Sequence, residues 1–242
     1  MTIKPIETRS EFLTYGHVRH SNANNNFTGF IKNNIALENN KHEFDKYDLN
    51  SFHFGAFNNK KMYACTRMVN DIKGKQKFQL TGSPCHFLKE LINSHQPENG
   101  LALQDYIKNS EFEEVDFFFQ SLRNDGFCFN EIGRLIRCNR EGEKLLMNYL
   151  ICYSWAFDRY HGIDFCFFEA VKSHNEYYRK YFNCKPVLEH LEFRPIIEGQ
   201  SCYLMQADIA DLTPKMDIIV NRIVDKFNDA GRPCAINIDE IR

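Results

Sequence analysis

The sequence predicts a mixed α/β fold, and three observations carry that reading. Apolar runs of strand length alternate with helical runs in the order β–β–α–β–α–β–β, which makes a mixed sheet covered by helices. From Phe127 to Tyr160, a strand runs through an arginine- and glycine-containing loop into a long amphipathic helix. The tail over 214–230 places Met216, Ile219, Ile223, Val224 and Phe227 on one helical face, so a final helix returns to the core.

The elements follow in order. Residues 7–20 predict a first helix with Phe12, Tyr15 and Val18 at helical spacing, and a polar Asn-rich stretch of loops and weak helix comes next. Two β-rich runs on either side of Asn58-Asn59 predict a hairpin ending in Thr66-Arg67-Met68. Residues 77–122 hold turns at Gly82, Pro84, Pro97 and Gly100 and an acidic-aromatic helical run from Phe112 to Leu122. A strand over 127–136, the helix over 144–160 and a strand over 164–171 form the centre of the chain. A short helix over 174–182 and strands near 185–193 and 201–208 precede the final helix. With 242 residues, 43% of them hydrophobic, the chain is long enough for one domain over 1–242. Residues 44–208 would be its core, 1–43 a helical and loop segment, and 214–230 the closing helix.

Composition narrows the function classes. A net charge of −2 gives no basic field for nucleic acid. The nine Cys are widely spaced and form no CxxC pair, so neither a metal site nor a disulfide framework is expected. No apolar leader opens the chain and no 18-residue apolar run occurs, so the expectation is a soluble protein of a reducing cytoplasm without a transmembrane segment. The 22 Phe and 11 Tyr either fill a core or line an apolar tunnel.

The chemistry-bearing residues concentrate around the 127–160 segment. Helix N-termini leave backbone N–H groups unpaired and carry partial positive charge, so Arg137, Arg140, Gly142 and Glu143 offer a phosphate site where the helix opens. By period-2 alternation Phe129, Glu131, Gly133 and Leu135 share one face of the strand. A carboxylate there faces a cavity as a general base, or pairs with Arg134, Arg67 or Arg137 as structure. Asp45 and Asp48 before the hairpin serve as a cap or surface feature, or orient a ligand. Tyr178 is a proton donor or a packing residue with a wet hydroxyl.

The element order from about Lys60 to Asp208 resembles the GNAT acyltransferase superfamily. Arg137-Cys-Asn-Arg140-Glu-Gly142 is similar to that group's pyrophosphate loop, with Arg140 where a middle Gly usually stands, and Tyr178–Cys184 is similar to its Tyr-x-x-x-Gly-Phe helix end without the Gly. A narrower resemblance rests on Asp45-x-x-Asp48, the hairpin end at Arg67 and Glu131-x-x-Arg134. That combination is similar to the acyl-homoserine-lactone synthases and the N-acyl amino acid synthases. It implies a three-layer fold whose central sheet is mostly antiparallel, twisted, and splayed between the fourth and fifth strands. It implies an enzyme moving an acyl chain from acyl carrier protein or coenzyme A to the amine of an amino-acid-like acceptor, with the thioester as co-substrate and no bound cofactor or metal. Glu131 would be the base and Tyr178 the acid. Arg67, Arg134, Asp45 and Asp48 would orient the acceptor. Phe129, Leu135, Tyr149, Tyr153, Phe165 and Phe167 would border the acyl chain. The group's N-terminal Arg corresponds to Arg19, with Phe27 at a different spacing, and the single Trp is Trp155 in the helix, which favours an amino acid over S-adenosylmethionine as acceptor. A plain acetyl-coenzyme A-dependent acetyltransferase and a non-catalytic ligand-binding member are the competing readings.

Overall fold

A computed structural model describes residues 1–26, 42–74, 100–106, 111–138, 145–189, 191 and 202–242, with only the helical backbone for 22–26. The expectations at Arg140, Gly142, Glu143, Phe27, Gly82, Pro84 and Pro97 lie outside the described residues.

The chain opens with a strand the periodicity did not reveal, β1 (Thr2–Pro5), followed by α1 (Arg9–Asn26). A 3-10 turn over Lys46–Asn50 leads into β2 (Ser51–Asn58) and β3 (Lys61–Asn70). Asn59 bridges this hairpin at φ +54°, a left-handed conformation that Asn tolerates better than most residues. A second 3-10 turn, Ala102–Tyr106, precedes α2 (Phe112–Asn124) and β4 (Phe129–Arg137). Then come α3 (Leu146–Tyr160), β5 (Phe165–Val171), α4 (Lys172–Phe182), β6 (Lys185–Val187) and β7 (Cys202–Asp208). The chain closes with α5 (Pro214–Ala230) and β8 (Ile236–Asn237). The closing helix has the limits the sequence predicts, with Pro214 at its first turn and Gly231, φ +65°, just past its end.

The strands form one sheet in the order β6-β7-β5-β4-β3-β2-β1-β8. Every pair is antiparallel except β4 with β5. Helices α3 and α5 cover one face, over a core that includes Leu150, Tyr153, Trp155, Phe157, Val220 and Phe227. On the other face α1 brings Phe12 and Tyr15 to Phe44, Phe57 and Ile136, and α2 brings Val115 and Phe119 to Phe129 and Phe167. Each such fully buried side chain contributes roughly 1.5–3 kcal/mol, and that burial fixes which face each strand presents. This three-layer, GNAT-like arrangement matches the expectation drawn from the resemblance.

Two features of β4 create the site. Its pairing with β5 lasts only three positions, Phe129↔Phe165, Asn130↔Cys166 and Glu131↔Phe167, although both strands run on. Above Glu131 the strands part. Just there β4 carries an extra residue: Cys65 pairs with Ile136 and Arg67 with Gly133, so two steps on β3 face three on β4. Arg134 takes φ +55° in this bulge, and Thr66 Oγ1 donates to the Gly133 carbonyl at 3.1 Å. The bulge corrects the predicted alternation. Leu135 turns to the α3 side with Ile132, whereas Ile136 joins the α1 cluster, so Leu135 does not share the face of Phe129 and Glu131. One position below the last pair, Asn130 Nδ2 donates to Asp158 Oδ1 of α3 at 2.7 Å, tying the strand to the helix just under the opening.

Candidate active site

The parted strands enclose a cavity of about 620 Å³. It reaches both faces of the sheet. On the α3 side it is bordered by Met147, Ile151 and Trp155 of the helix and by Phe168 and Tyr178. On the other side it is bordered by Arg67, Glu131, Gly133, Arg134 and Glu169. The β4 edge beyond Glu131 has no strand partner among the described residues, so part of its backbone polarity is turned into the opening.

Glu131 is 6% exposed and lies at the floor of the fork. Its Oε2 accepts a hydrogen bond from the Leu103 backbone N–H at 2.7 Å, which holds the carboxyl from the second 3-10 turn. Burial pushes its pKa up to about 7, against the opposing pull of Arg67 and of the Leu103 N–H. Among the described residues it forms no ion pair. Arg67 and Arg134 turn instead to an acidic cluster. A Cβ at position 133 would come within 3.3 Å of Glu131 Oε1, so Gly133 leaves the carboxyl its room.

That cluster gathers residues from five elements, α1, the Lys46–Asn50 turn, β2, β3 and β4. Asp45 caps the Lys46–Asn50 turn, and its capping box with Asp48 aims both carboxyls at β3 and α1. Asp48, fully buried, accepts from Arg19 Nη1 at 2.7 and 2.8 Å, from Arg67 Nη1 at 3.1 Å and from the Asp45 backbone N–H at 2.7 Å. His53 Nε2 lies 2.9 Å from the same carboxylate. Arg67 Nη1 also donates to Asp45 Oδ1 at 2.6 Å, and Arg19 Nη2 to Glu43 Oε1 at 3.0 Å. Arg134 Nη2 lies 3.3 Å from Glu43 Oε1 and 3.6 Å from Asp45 Oδ2. Three guanidiniums thus meet three carboxylates, and the charges balance inside the protein. Burial works against ionisation of Asp48, but Arg19, Arg67 and the His53 hydrogen bond hold its pKa well below the usual carboxylate range. The surface reading of Asp45 and Asp48 is therefore replaced by a cap that is also the centre of a buried ion cluster.

The remaining sequence-named residues divide. Tyr178 borders the cavity with its ring edge-on to Phe168 at 4.8 Å, and burial pushes its hydroxyl up to about 12. Leu135 borders it as well. Phe129, Tyr149, Tyr153, Phe165 and Phe167 do not. Phe129, Phe165 and Phe167 pack against α2, and Tyr149 and Tyr153 lie in the main core, where the Tyr153 hydroxyl donates to the Cys234 carbonyl at 2.7 Å. The α3 stripe that carries Tyr149 and Tyr153, with Leu146, Leu150 and Phe157, is packed into the core. The cavity takes the adjacent stripe of Met147, Ile151 and Trp155, one helical step around. Arg137 ends β4, half-buried, opposite Ala64 and beyond the cavity wall. Sequence reasoning missed Glu43, the Leu103 N–H and Glu169, since their relation to Glu131 or to the arginines arises only when strands and turns assemble. Among the described residues no group of His, Cys, Asp and Glu is arranged to hold a metal ion, and no helix is long and apolar enough to cross a membrane.

No protein-family model and no curated protein matches this chain. Among solved structures, it is similar to a coenzyme A-dependent acyl-homoserine lactone synthase, BjaI, at 12% identity and TM-score 0.52, over 99% of this chain and 96% of that one. It also aligns with FeeM, an N-acyl amino acid synthase from uncultured soil microbes, at 12% identity and TM-score 0.49, over 87% of this chain and 92% of that one. At such identity the likeness to the lactone synthase speaks for a shared fold.

Proposed function

We propose that this protein is an N-acyltransferase that moves an acyl chain from a thioester, on acyl carrier protein or coenzyme A, to the primary amine of an amino-acid-like acceptor. The observation that carries the proposal is a desolvated carboxyl without an ion-pair partner among the described residues, standing where β4 and β5 part and facing a largely apolar cavity. The fold shared with a lactone synthase supports it.

The chemistry follows from that placement. An amine attacks a thioester only when neutral, and an α-amine holds its proton up to about pH 8. A carboxyl at about 7 takes that proton across roughly one pKa unit, whereas an ordinary Glu near 4.3 faces more than three. The amine nitrogen then bonds to the carbonyl carbon, and the carbonyl oxygen gathers negative charge. The unpaired edge of β4 above Glu131 supplies backbone N–H groups toward that oxygen. As the intermediate collapses, the carbon–sulfur bond breaks and the thiolate needs a proton. Arg67 and Arg134, anchored by the acidic cluster, present guanidinium forks at the cavity wall suited to an acceptor carboxylate. Arg137, with Arg140 and the backbone at Gly142 and Glu143, would hold the donor's phosphate at the far end of β4.

The first test offers acyl-coenzyme A and acyl carrier protein thioesters of several lengths with an amino acid panel and reads products by mass spectrometry. A new amide with release of free thiol is expected. Absence of amide with every donor ends the proposal. The cavity volume and its Met147–Ile151–Trp155 wall favour a chain longer than acetyl. Met147→Trp, at the half-buried start of α3, is expected to shift donor preference toward shorter chains by roughly tenfold, the scale of losing one or two methylenes of apolar contact. Unchanged chain-length preference would remove this wall from the acyl site. Arg137→Ala is expected to raise the donor KM with kcat little altered, since a phosphate contact remote from the reacting bond binds ground and transition states alike. An unchanged donor KM would remove Arg137 from the site.

A further inference from the structure

A second carboxyl stands in the same fork, and neither the sequence motifs nor the scheme above uses it. Glu169 lies on β5 between Phe168 and Ala170, which belong to the α3 face; its own side chain shares the opposite face with Phe167 and Val171. Since Glu131 pairs with Phe167, Glu169 stands one same-face step higher, about 6.6 Å along the parted strands. It borders the cavity, and its Oε1 is buried without a hydrogen-bond partner among the described residues. An isolated buried carboxylate is costly, so such a group keeps a proton or meets a ligand.

We infer that Glu169, rather than Tyr178, is the acid that protonates the departing thiolate. This rests on the acyl-transfer reading above. A donor whose phosphate lies toward Arg137 runs down the free edge of β4, so its sulfur lies above its carbonyl carbon. Glu131 sits at the carbonyl's level and Glu169 at the level above, beside the sulfur. In one turnover Glu131 takes the ammonium proton and passes it to water, the nitrogen–carbon bond forms, Glu131 takes the second nitrogen proton, and the carbon–sulfur bond breaks. Glu169 then gives its proton to sulfur, leaving a neutral thiol, an amide, a protonated Glu131 and an ionised Glu169. Transfer of the proton from Glu131 to Glu169, directly or through water, restores the starting pair with no outside reagent.

Charge supports the assignment. Burial, the nearby Glu131 carboxyl and only partial relief from Arg134 keep Glu169 protonated well above the usual carboxylate range. Tyr178 at about 12 is a weaker acid than a thiol near 8.5, so its proton moves to sulfur uphill. It also projects from the other face of the fork, against Phe168. His174 borders the cavity from an exposed position on α4.

The test compares two donors carrying the same acyl group. One is the coenzyme A thioester, whose alkyl thiolate needs a proton. The other is an aryl thioester, whose thiolate leaves without one. Glu169→Gln is expected to lower kcat by ~10²-fold or more with the first and less than about fivefold with the second. Tyr178→Phe is expected to stay within about fivefold of the parent with both. Equal losses for Glu169→Gln on the two donors, or a leaving-group-dependent loss in Tyr178→Phe instead, would overturn the assignment while the acyl-transfer reading stands. A parent protein that makes amide from neither donor removes both.

Discussion

Glu131→Gln is expected to lower turnover by ~10²–10⁴-fold, the range for loss of a positioned general base, while donor KM moves by no more than a few-fold. Gln keeps the shape and can still accept the Leu103 N–H, so the loss reports proton chemistry rather than a collapsed turn. In the parent protein kcat should rise with pH as the carboxyl ionises, with its acid limb near 7. Steady-state rates across pH 5.5–9 for both proteins check this. A variant within tenfold of the parent, or a profile flat through 7, would withdraw the base from position 131. Stability should move the other way. Glu131 has a folded pKa above its unfolded one, so the preference for the protonated form stabilises the fold below about pH 4.5 and disappears as pH rises through about 7. Above that, the buried charge costs up to about 3 kcal/mol, and Glu131→Gln should melt higher than the parent at pH 8. Gaining stability while losing activity is the signature of a group placed for chemistry.

Asp48→Ala is expected to destabilise the fold by about 3–5 kcal/mol, a large part of the 5–15 kcal/mol that holds a domain together. Asp48 is where Arg19, Arg67, His53 and the Asp45 backbone converge, and its removal leaves three buried guanidiniums against two carboxylates. Urea unfolding of both proteins measures the difference. A loss under 1 kcal/mol would mean the cluster relaxes into water. The same group sets the acid limit. Its folded pKa lies below its unfolded value, so its stabilisation is present above about pH 4 and is lost as pH falls further. The variant should therefore lose part of the parent's acid-dependent unfolding below pH 4. Arg67, which loses one of its two carboxylate partners, should also position the acceptor less well, raising its KM.

The parts of the site that were legible in the sequence are those set by local rules. Asp45 and Asp48 form a capping box because they stand three residues apart before a turn, and Asn59 marks the hairpin because it tolerates a left-handed backbone. Glu131 stood out as a carboxyl inside an apolar strand. Other features were illegible for definite reasons. β1 and β8 have four and two residues, too short for a period of two to declare itself. The Leu103 N–H that holds Glu131 lies 28 residues upstream in a turn with no motif. Of the residues expected beside an acyl chain, Leu135 borders the cavity, whereas Tyr149 and Tyr153 belong to the apolar helical stripe that packs into the core, and the cavity sits beside that stripe.

The amino-acid sequence by itself determined the alternation of strands and helices, the closing helix from Pro214 to Ala230 and the residue types gathered at the site, because periodicity and capping act over a few residues. Only the tertiary structure decided which face each functional side chain occupies. One extra residue in β4, with Arg134 at φ +55°, reverses the alternation just beyond the end of pairing to β5, and at that level the fork and cavity open with Glu131 and Glu169 on the two parted strands. A bulge is specified by pairing between strands distant in sequence, and no local period records it.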